Sequence, residues 1–211
     1  MSDLIIENGR IVDGTGKPAF EGSVLVEEGK ISAVGVAADN KAKEKHGLKR
    51  IDATGQTVMP GLIDTHCHLS FDDAGSNPEI FFQRRNALSA LVAGYNARKL
   101  LRAGVTGILD PDSTFENMTD LRDAIDANIV EGPRMSCGAY ALITGVGGTA
   151  GRLINDEGTT GYYMAVNSKD EIVREVRRQV KYGADWIKVH VTGIIPRQAH
   201  KGEMCVWTME E

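Results

Sequence analysis

The sequence predicts an α/β protein: the N-terminal part of a (β/α)8 TIM-like barrel, preceded by a small antiparallel β-sandwich unit and truncated after about four barrel strands. Short β-rich segments fill residues 1–58, whereas strand and helix patterns alternate through residues 59–211. That alternation is typical of βαβ units on a parallel sheet. The turn after the first predicted barrel strand carries histidines where an open dinucleotide-binding sheet would carry G-x-G-x-x-G, which favours the barrel.

Residues 1–58 are the first predicted domain. An Asn-Gly pair at positions 8–9 lies between two apolar runs and predicts a β-hairpin, because these residues accept the positive φ of a two-residue turn. A Glu-Gly pair at positions 28–29 lies between two further apolar runs and predicts a second hairpin. Residues 39–50 are polar and rich in lysine, and we expect a surface excursion there.

Residues 59–211 are the second predicted domain. The apolar run from Gly61 to Asp64 is typical of a strand buried on both faces. Apolar residues at helical spacing predict a helix from Glu79 to Arg102, which Gly104 terminates. The remaining predicted elements are a strand at 105–109, a helix at 115–127, a strand at 134–137, a helix from the capping box at 168–171 to 182, and a strand at 185–191.

The last four residues, Thr208 to Glu211, also match the T-x-x-E capping box that opens a helix. A helix of one turn does not recover the free-energy cost of its nucleation. We therefore expect the sequence to be an N-terminal portion of a longer protein.

The composition argues against several classes of protein. Lys and Arg total 24 against 29 for Asp and Glu, a net charge of -5, which disfavours nucleic acid or an anionic membrane as a partner. No apolar run approaches the roughly 18 residues of a membrane-spanning helix, and the first residues lack signal-peptide character. We expect a cytoplasmic protein. The three scattered cysteines do not indicate a disulfide framework.

The strongest chemical signal is the pair of histidines after the first predicted barrel strand. Residues i and i+2 of an extended segment share a face, so His66 and His68 project together and can bind one Zn²⁺-like ion. The alternative is that two histidines at this spacing are an accident of a polar strand end. Their place at the carboxyl end of a barrel strand favours metal binding, because barrel enzymes hold their sites there. Cys67, between them, should face the core.

Lys188 lies inside an otherwise apolar predicted strand. Either its stem packs while its amine reaches water, or its amine points into the barrel and must be paired or neutralised. Reaction of the neutral amine with CO₂ would give a carbamate, an anionic ligand able to bridge two metal ions. His190 shares the face of Lys188 and is a candidate for a substrate contact or a hydrogen-bonded residue at the barrel mouth. Asp110 and Asp112 follow the second strand. They are candidates for carboxylates that hydrogen-bond to metal ligands, but carboxylates at a strand end are more often solvated or cap a helix.

These residues carry a resemblance to the metal-dependent amidohydrolase superfamily, and in particular to its prolidase-like and imidazolonepropionase-like branch. The resemblance rests on the small N-terminal β unit and on residues 58–69, 103–106 and 186–189. It implies that His66 and His68 are the H-x-H metal ligands and that Lys188 is the carboxylated lysine of barrel strand four. The family's two further histidines and its catalytic aspartate have no counterpart before Glu211, so the resemblance implies an inactive or nearly inactive portion.

The resemblance implies hydrolysis of an amide or similar C–N bond, in a dipeptide or a cyclic amide, by hydroxide that one or two divalent ions generate near neutral pH. We expect Zn²⁺. Two alternatives remain: a one-metal hydrolase or deaminase in which Lys188 is an ordinary amine, and a non-catalytic scaffold on the same fold. The expected partner is a small-molecule amide or dipeptide, with no nucleic acid and no membrane, and we expect a homo-oligomer for the full-length protein.

Overall fold

The computed structural model describes residues 3–71, 75, 79, 84–145, 161–192 and 205–211. The chain divides into two compact units, Met1–Gly61 and Leu62–Glu211. The elements of the described residues, in chain order, are β1 Leu4–Ile11, β2 Phe20–Glu27, β3 Lys30–Val34, α1 Val36–Lys43, β4 Lys49–Asp52, β5 Thr57–Val58, β6 Leu62–Asp64, α2 Asn86–Arg102, β7 Val105–Asp110, α3 Asn117–Asp126, β8 Arg134–Cys137, β9 Ala141–Ile143, β10 Tyr163–Ala165 and α4 Lys169–Lys181. None of the helices in these ranges has the length and apolar character needed to cross a membrane.

The first unit contains one mixed five-stranded sheet. The strand order is β3-β2-β1-β4, and β5 also pairs with β1. β1 and β3 run antiparallel to β2, whereas β4 and β5 run parallel to β1. The prediction of a purely antiparallel unit is therefore wrong, because two short strands return to the same edge of β1 in the parallel direction.

One of the two predicted hairpins forms. Glu28 and Gly29 have φ values of 50° and 77° and join β2 to β3, as predicted. The hairpin at positions 8–9 is wrong, since β1 continues through both residues. Asn8 has a φ of 62° and forms a bulge, with a register shift between Ile6 and Gly9. The Asn-Gly pair therefore supplies its positive φ inside a strand rather than at a turn.

The predicted surface excursion contains a helix. α1 begins at Val36 and ends at Lys43, although its sequence is mostly polar. Ala38 and Ala42, one turn apart, are both buried. They pack in one apolar cluster with Ile5 and Leu25 of the sheet. Two small side chains are sufficient to pack this helix against the sheet. The segment is therefore partly buried, although it has no wide apolar stripe.

The second unit contains a parallel sheet in the order β6-β7-β8. The three strands lie where the sequence predicts them, and α2 and α3 connect them. β9 and β10 form a separate parallel pair. Leu62 and Ile63 of β6 are 52% and 71% exposed, so the prediction that this strand is buried on both faces is wrong. β6 is an edge strand of the described sheet and pairs there with β7 alone.

Only some of the apolar residues that predict α2 face the core: Leu100 packs against the apolar core cluster, whereas others are exposed. The helix begins at Asn86 rather than Glu79 and ends at Arg102, shortly before Gly104 with a φ of 90°; residues 80–83 lie outside the described ranges. The exposed apolar side chains of α2 are Leu88, Leu91 and Tyr95. Its buried residues are small or polar: Ser89, Ala93, Asn96 and Ala97.

The capping box at 208–211 forms both of its hydrogen bonds, whereas the one at 168–171 forms one, because Glu171 Oε2 accepts a hydrogen bond from Asn167 N at 2.8 Å rather than from Ser168 N. The Ser168 hydroxyl accepts a hydrogen bond from Glu171 N at 3.3 Å and opens α4, which ends before Gly183 with a φ of 89°. Thr208 N donates to Glu211 Oε2 at 2.9 Å, and Glu211 N donates to the Thr208 hydroxyl at 3.3 Å.

The predicted strand at 185–191 is a broken one. Among the described residues, its parallel pairing is limited to two isolated bridges, Gly138 to Trp186 and Leu142 to Val189. Asp185 N bonds to the carbonyl of Cys137 in β8, whereas later residues pair with Leu142 in β9. Because β8 and β9 are separate strands, the segment 185–192 forms no continuous ladder.

Candidate functional site

The predicted site residues meet at the carboxyl ends of the strands of the second unit. A cavity of about 450 Å³ lies there. Its lining residues are His66, His68, Phe71, Asp112, Tyr162, Lys188, Val189, His190, Val191 and Thr192. The structure therefore brings together His66, His68, Lys188 and His190, and it places Asp110 behind them, fully buried.

His66 and His68 project to the same side of the chain, as the period of two predicts. Their ring centroids are 5.1 Å apart in an edge-to-face arrangement. Nδ1 of His68 lies 2.8 Å from the backbone carbonyl of Asp112. Since a carbonyl oxygen can only accept, Nδ1 carries the proton in the neutral ring, and in that form Nε2 keeps its lone pair. Cys67 packs against the apolar core cluster, as predicted.

Asp112 is the polar centre of the cavity. It is only 2% exposed, and its Oδ1 lies 3.4 Å from Lys188 Nζ and 3.5 Å from His68 Nδ1. Its Oδ2 lies 3.5 Å from His190 Nε2. Burial raises the pKa of this carboxyl, but hydrogen bonding to His190 and the positive charges around it outweigh burial, and the pKa falls below its ordinary value.

The sequence interpretation of Asp112 as a solvated or helix-capping carboxylate is wrong, since the residue is buried among basic groups. One signal in the sequence could have identified it. Asp110 and Asp112 have the same spacing of two that aligns the histidines, and both follow a strand that pairs in parallel with β6. The carboxyl ends of neighbouring parallel strands meet at one edge of a sheet.

Asp110 fixes the backbone that follows His68. Its Oδ2 accepts a hydrogen bond from Leu69 N at 2.9 Å, and its Oδ1 lies 3.8 Å from His68 Nδ1. Asn96 of α2 donates to the carbonyl of Leu69 at 2.9 Å. Burial raises the pKa of Asp110 above its ordinary value. Both peptide groups of Leu69 are thus held by buried side chains, and the position of His68 is fixed with them.

Lys188 and His190 enter the cavity from the segment 185–192. The Lys188 side chain is 23% exposed and its amine faces Asp112, so the amine is paired rather than free in water. His190 is 8% exposed, and its backbone carbonyl accepts a hydrogen bond from Trp207 Nε1 at 2.7 Å. This segment therefore contributes two basic side chains to one wall of the cavity.

The residues fit part of a metal site. Within the described ranges, no three His, Cys, Asp or Glu side chains form a group that could hold a metal ion. The donors are two imidazoles and one amine. Metal-binding histidines usually donate their second ring N–H to a carbonyl or carboxylate, and His68 does so with the Asp112 carbonyl. Its free Nε2 is therefore oriented as a ligand atom.

The fold and the cavity define a class of α/β protein that carries its functional site at the carboxyl ends of parallel strands. Residues 57–204 match the amidohydrolase family. The chain belongs to that family, whose members are generally metal-dependent.

Three relatives illustrate the likeness. The chain is 30% identical to the L-hydantoinase of Paenarthrobacter aurescens over 167 residues, which cover 77% of this chain and 32% of the relative. It is 44% identical to the 5-methylthioadenosine/S-adenosylhomocysteine deaminase of Symbiobacterium thermophilum over 70 residues, or 32% of this chain and 16% of the relative. The crystal structure of a Xaa-Pro dipeptidase with bound methionine matches with a TM-score of 0.72 and 25% identity, covering 91% of this chain and 48% of that one.

The chain spans about half the length of the solved structures it matches and less of the curated relatives. The names of the relatives include both amide hydrolases and deaminases. Because the chain covers only part of these relatives, hydrolysis of C–N bonds is an activity of the relatives and is not thereby assigned to this chain.

Proposed function

We propose that this chain carries part of the active site of a metal-dependent hydrolase that cleaves amide or related C–N bonds in small molecules, such as dipeptides or cyclic amides. The observation that carries the proposal is the gathering of His66, His68 and Lys188 around one cavity at the strand ends. Relatives named hydantoinase and Xaa-Pro dipeptidase support this substrate class. A closed (β/α)8 barrel, with this chain as its first half, belongs to the same proposal.

The side chains of the cavity have distinct roles in this proposal. His66 and His68 would hold a divalent metal, and we propose Zn²⁺, which histidine nitrogens commonly bind. The metal would supply a Lewis acid that polarises a carbonyl and lowers the pKa of water. Lys188, as its carbamate, would complete the ligand set from the segment 185–192, because an ammonium group has no lone pair to give a metal. Phe71, which stacks on His68 with ring centroids 4.8 Å apart, would shield that ring from water.

A one-metal hydrolase or deaminase is the second candidate. The Lys188 amine lies 3.4 Å from Asp112 Oδ1, an arrangement that favours an ammonium over a carbamate. A carbamate at that position would bring two negative groups together, which is unfavourable in a buried site. The relative from Symbiobacterium thermophilum that is named a deaminase supports this candidate. The two candidates differ in the number of metal ions bound per chain.

Zinc binding by the chain tests the ligand assignment. We expect the wild-type chain to compete with a chromophoric chelator for Zn²⁺, and His66→Ala and His68→Ala to lose most of that affinity. His46→Ala is the matched control, since His46 is an exposed histidine of the first unit. Equal affinity in all four proteins would show that the assignment is wrong.

The activity is tested on the full-length protein with a hydantoin, a Xaa-Pro dipeptide and an adenosine-type nucleoside. Opening of the cyclic amide or release of proline supports the hydrolase. Release of ammonia from the nucleoside, with one metal ion per chain, supports the deaminase instead. A metal-loaded protein without activity on any of the three would count against the proposed substrate class.

A further inference from the structure

We propose that Asp112 is a positioning residue of this site, which aims Lys188 and His190 into the cavity through its carboxylate and His68 through its backbone carbonyl. The inference rests on the proposed function, and it adds a residue that orients side chains of the site without being a metal ligand itself.

The three acceptor atoms of Asp112 face three different side chains, and His68 lies near two of these atoms, the carbonyl oxygen and Oδ1. The carbonyl oxygen lies 2.8 Å from Nδ1 of His68. Oδ1 lies 3.4 Å from Nζ of Lys188, and Oδ2 lies 3.5 Å from Nε2 of His190. One residue at the end of β7 is thus in contact with the turn after β6 and with the segment 185–192. The side chains that meet there come from three separate parts of the chain.

Burial of the Asp112 carboxylate holds its basic neighbours in place. A carboxylate that is 2% exposed is costly unless it is paired, so its basic neighbours are drawn to it. The lysine stem has many rotamers, and fixing it normally costs conformational entropy. The ion pair with Asp112 restricts those rotamers to the ones that keep the amine at the cavity wall.

Asp112 itself stands on a rigid support. Ser113 N donates to the carbonyl of Ala139 at 2.8 Å, and Gly138 N donates to the carbonyl of Asp110 at 2.9 Å. A Cβ on Gly138 would lie 2.0 Å from the carbonyl oxygen of Pro111, so the two backbones are in close contact. Functional groups hold their geometry when the residues that orient them are fixed in this way.

Asp110 and Asp112 have different roles. Asp110 accepts a hydrogen bond from the backbone of Leu69 and therefore fixes the main chain beside the histidines. Asp112 contacts the side chains that face the cavity. Loss of the Asp112 charge should therefore affect ligand geometry more than the fold.

Zinc affinity of the Asp112→Asn variant tests the inference. Asn has the same shape without the charge, so Lys188, His190 and the ligand His68, whose Nδ1 lies 3.5 Å from Oδ1, lose their anionic partner. We expect Zn²⁺ affinity to fall about 10- to 100-fold, the usual effect of removing a group that orients metal ligands, with the urea unfolding curve little changed. Asp120→Asn, at an exposed aspartate of α3, is the matched control and should bind Zn²⁺ as the wild type does.

Cobalt substitution gives a readout that a purely structural role would not change. The visible absorption bands of bound Co²⁺ report ligand geometry, and we expect them to shift in Asp112→Asn but not in Asp120→Asn. If Asp112→Asn fails to fold, Asp112→Glu keeps the charge but displaces it, and its Zn²⁺ affinity must fall as well.

The outcomes separate this inference from the proposed function. Loss of binding in His68→Ala together with wild-type affinity and spectrum in Asp112→Asn would overturn the positioning role alone. A wild-type chain that binds no Zn²⁺ would remove the ligand assignment and this inference together.

Discussion

A spacing of two residues recurs at each strand end that contributes to the cavity. It aligns side chains because alternate residues of an extended chain share a face. The three pairs are His66 and His68, Asp110 and Asp112, and Lys188 and His190. All of these residues except Asp110 line the cavity, so Asp112 lies between two pairs of basic residues.

The three cysteines should differ sharply in reactivity. Burial, followed by the nearby carboxylates, raises the pKa of Cys67 to about 12, and burial raises that of Cys137 to about 12. At pH 8 the reactive thiolate of each is a fraction on the order of 10⁻⁴, whereas Cys205 is exposed. Brief treatment with iodoacetamide should label Cys205 alone, as peptide mass spectrometry can show. All three should react in urea, and native labelling of Cys137 would contradict the buried position.

Glu27 should titrate at a lower pH than an ordinary glutamate. Its hydrogen bonds with Lys45 and Ser32 outweigh desolvation and lower its pKa. A lowered carboxyl pKa contributes stability at neutral pH that is lost as the pH falls through the folded-state value. The ¹³C titration midpoint of Glu27 should therefore rise in Lys45→Met. Lys43→Met is the control, because Lys43 bonds to Asn40 instead; an equal rise in both variants would contradict the assigned cause.

At the level of elements, the contact between the end of β7 and the end of β8 depends on the absence of a side chain at Gly138. Gly138→Ala would place a Cβ against the Pro111 carbonyl, and backbone cannot move aside as a flexible side chain does. We expect a loss of about 1–3 kcal/mol in the free energy of unfolding, the usual cost of overpacking. Urea denaturation measures it.

Gly107→Ala is the control for that change. A Cβ there would meet only the Ile63 side chain, at 3.5 Å, which is ordinary contact. Equal stability of Gly138→Ala and wild type would show that the two loops are not in such close contact.

Elements with local signals were predictable from the sequence, and elements set by distant contacts were not. α4 carries its own start at Ser168 and its own stop at Gly183, and β8 has the predicted bounds. The Asn-Gly pair of β1 is a strong local hairpin signal, but pairing with β2 on both sides keeps the strand continuous. α1 was missed because two alanines form its only buried contacts.

The candidate site follows the same division. His66, His68, Lys188 and His190 could be proposed from the sequence because their spacing and their positions at strand ends are visible there, and the structure brings them to one cavity. The central role of Asp112 depends on which residues surround it after folding. The spacing of two from Asp110 is a local signal, but carboxylates at strand ends are common and mostly solvated, so this spacing alone does not separate Asp112 from the rest.

At the scale of the whole second unit, apolar strand residues remain accessible. They are Leu62, Ile63, Trp186, Val189 and Val191, each at least 44% exposed. Exposed apolar side chains bind hydrophobic dyes, so the native chain should enhance the fluorescence of anilinonaphthalene sulfonate without denaturant. Ile63→Thr, which keeps a β-branched side chain, should reduce the enhancement. Dye fluorescence equal to that of a buffer blank would contradict the exposure.

The dependence of the cavity on Asp112 has a consequence for the order of events in folding. The hairpin at Glu28 and Gly29 joins neighbours and can close within microseconds. The bond from His68 to the Asp112 carbonyl joins residues 44 positions apart, and Lys188 lies further still along the chain. Long loops must close before such contacts form. The cavity around Asp112 should therefore be among the last features to form during folding. In refolding kinetics, capture of Zn²⁺ would then mark arrival at the native state.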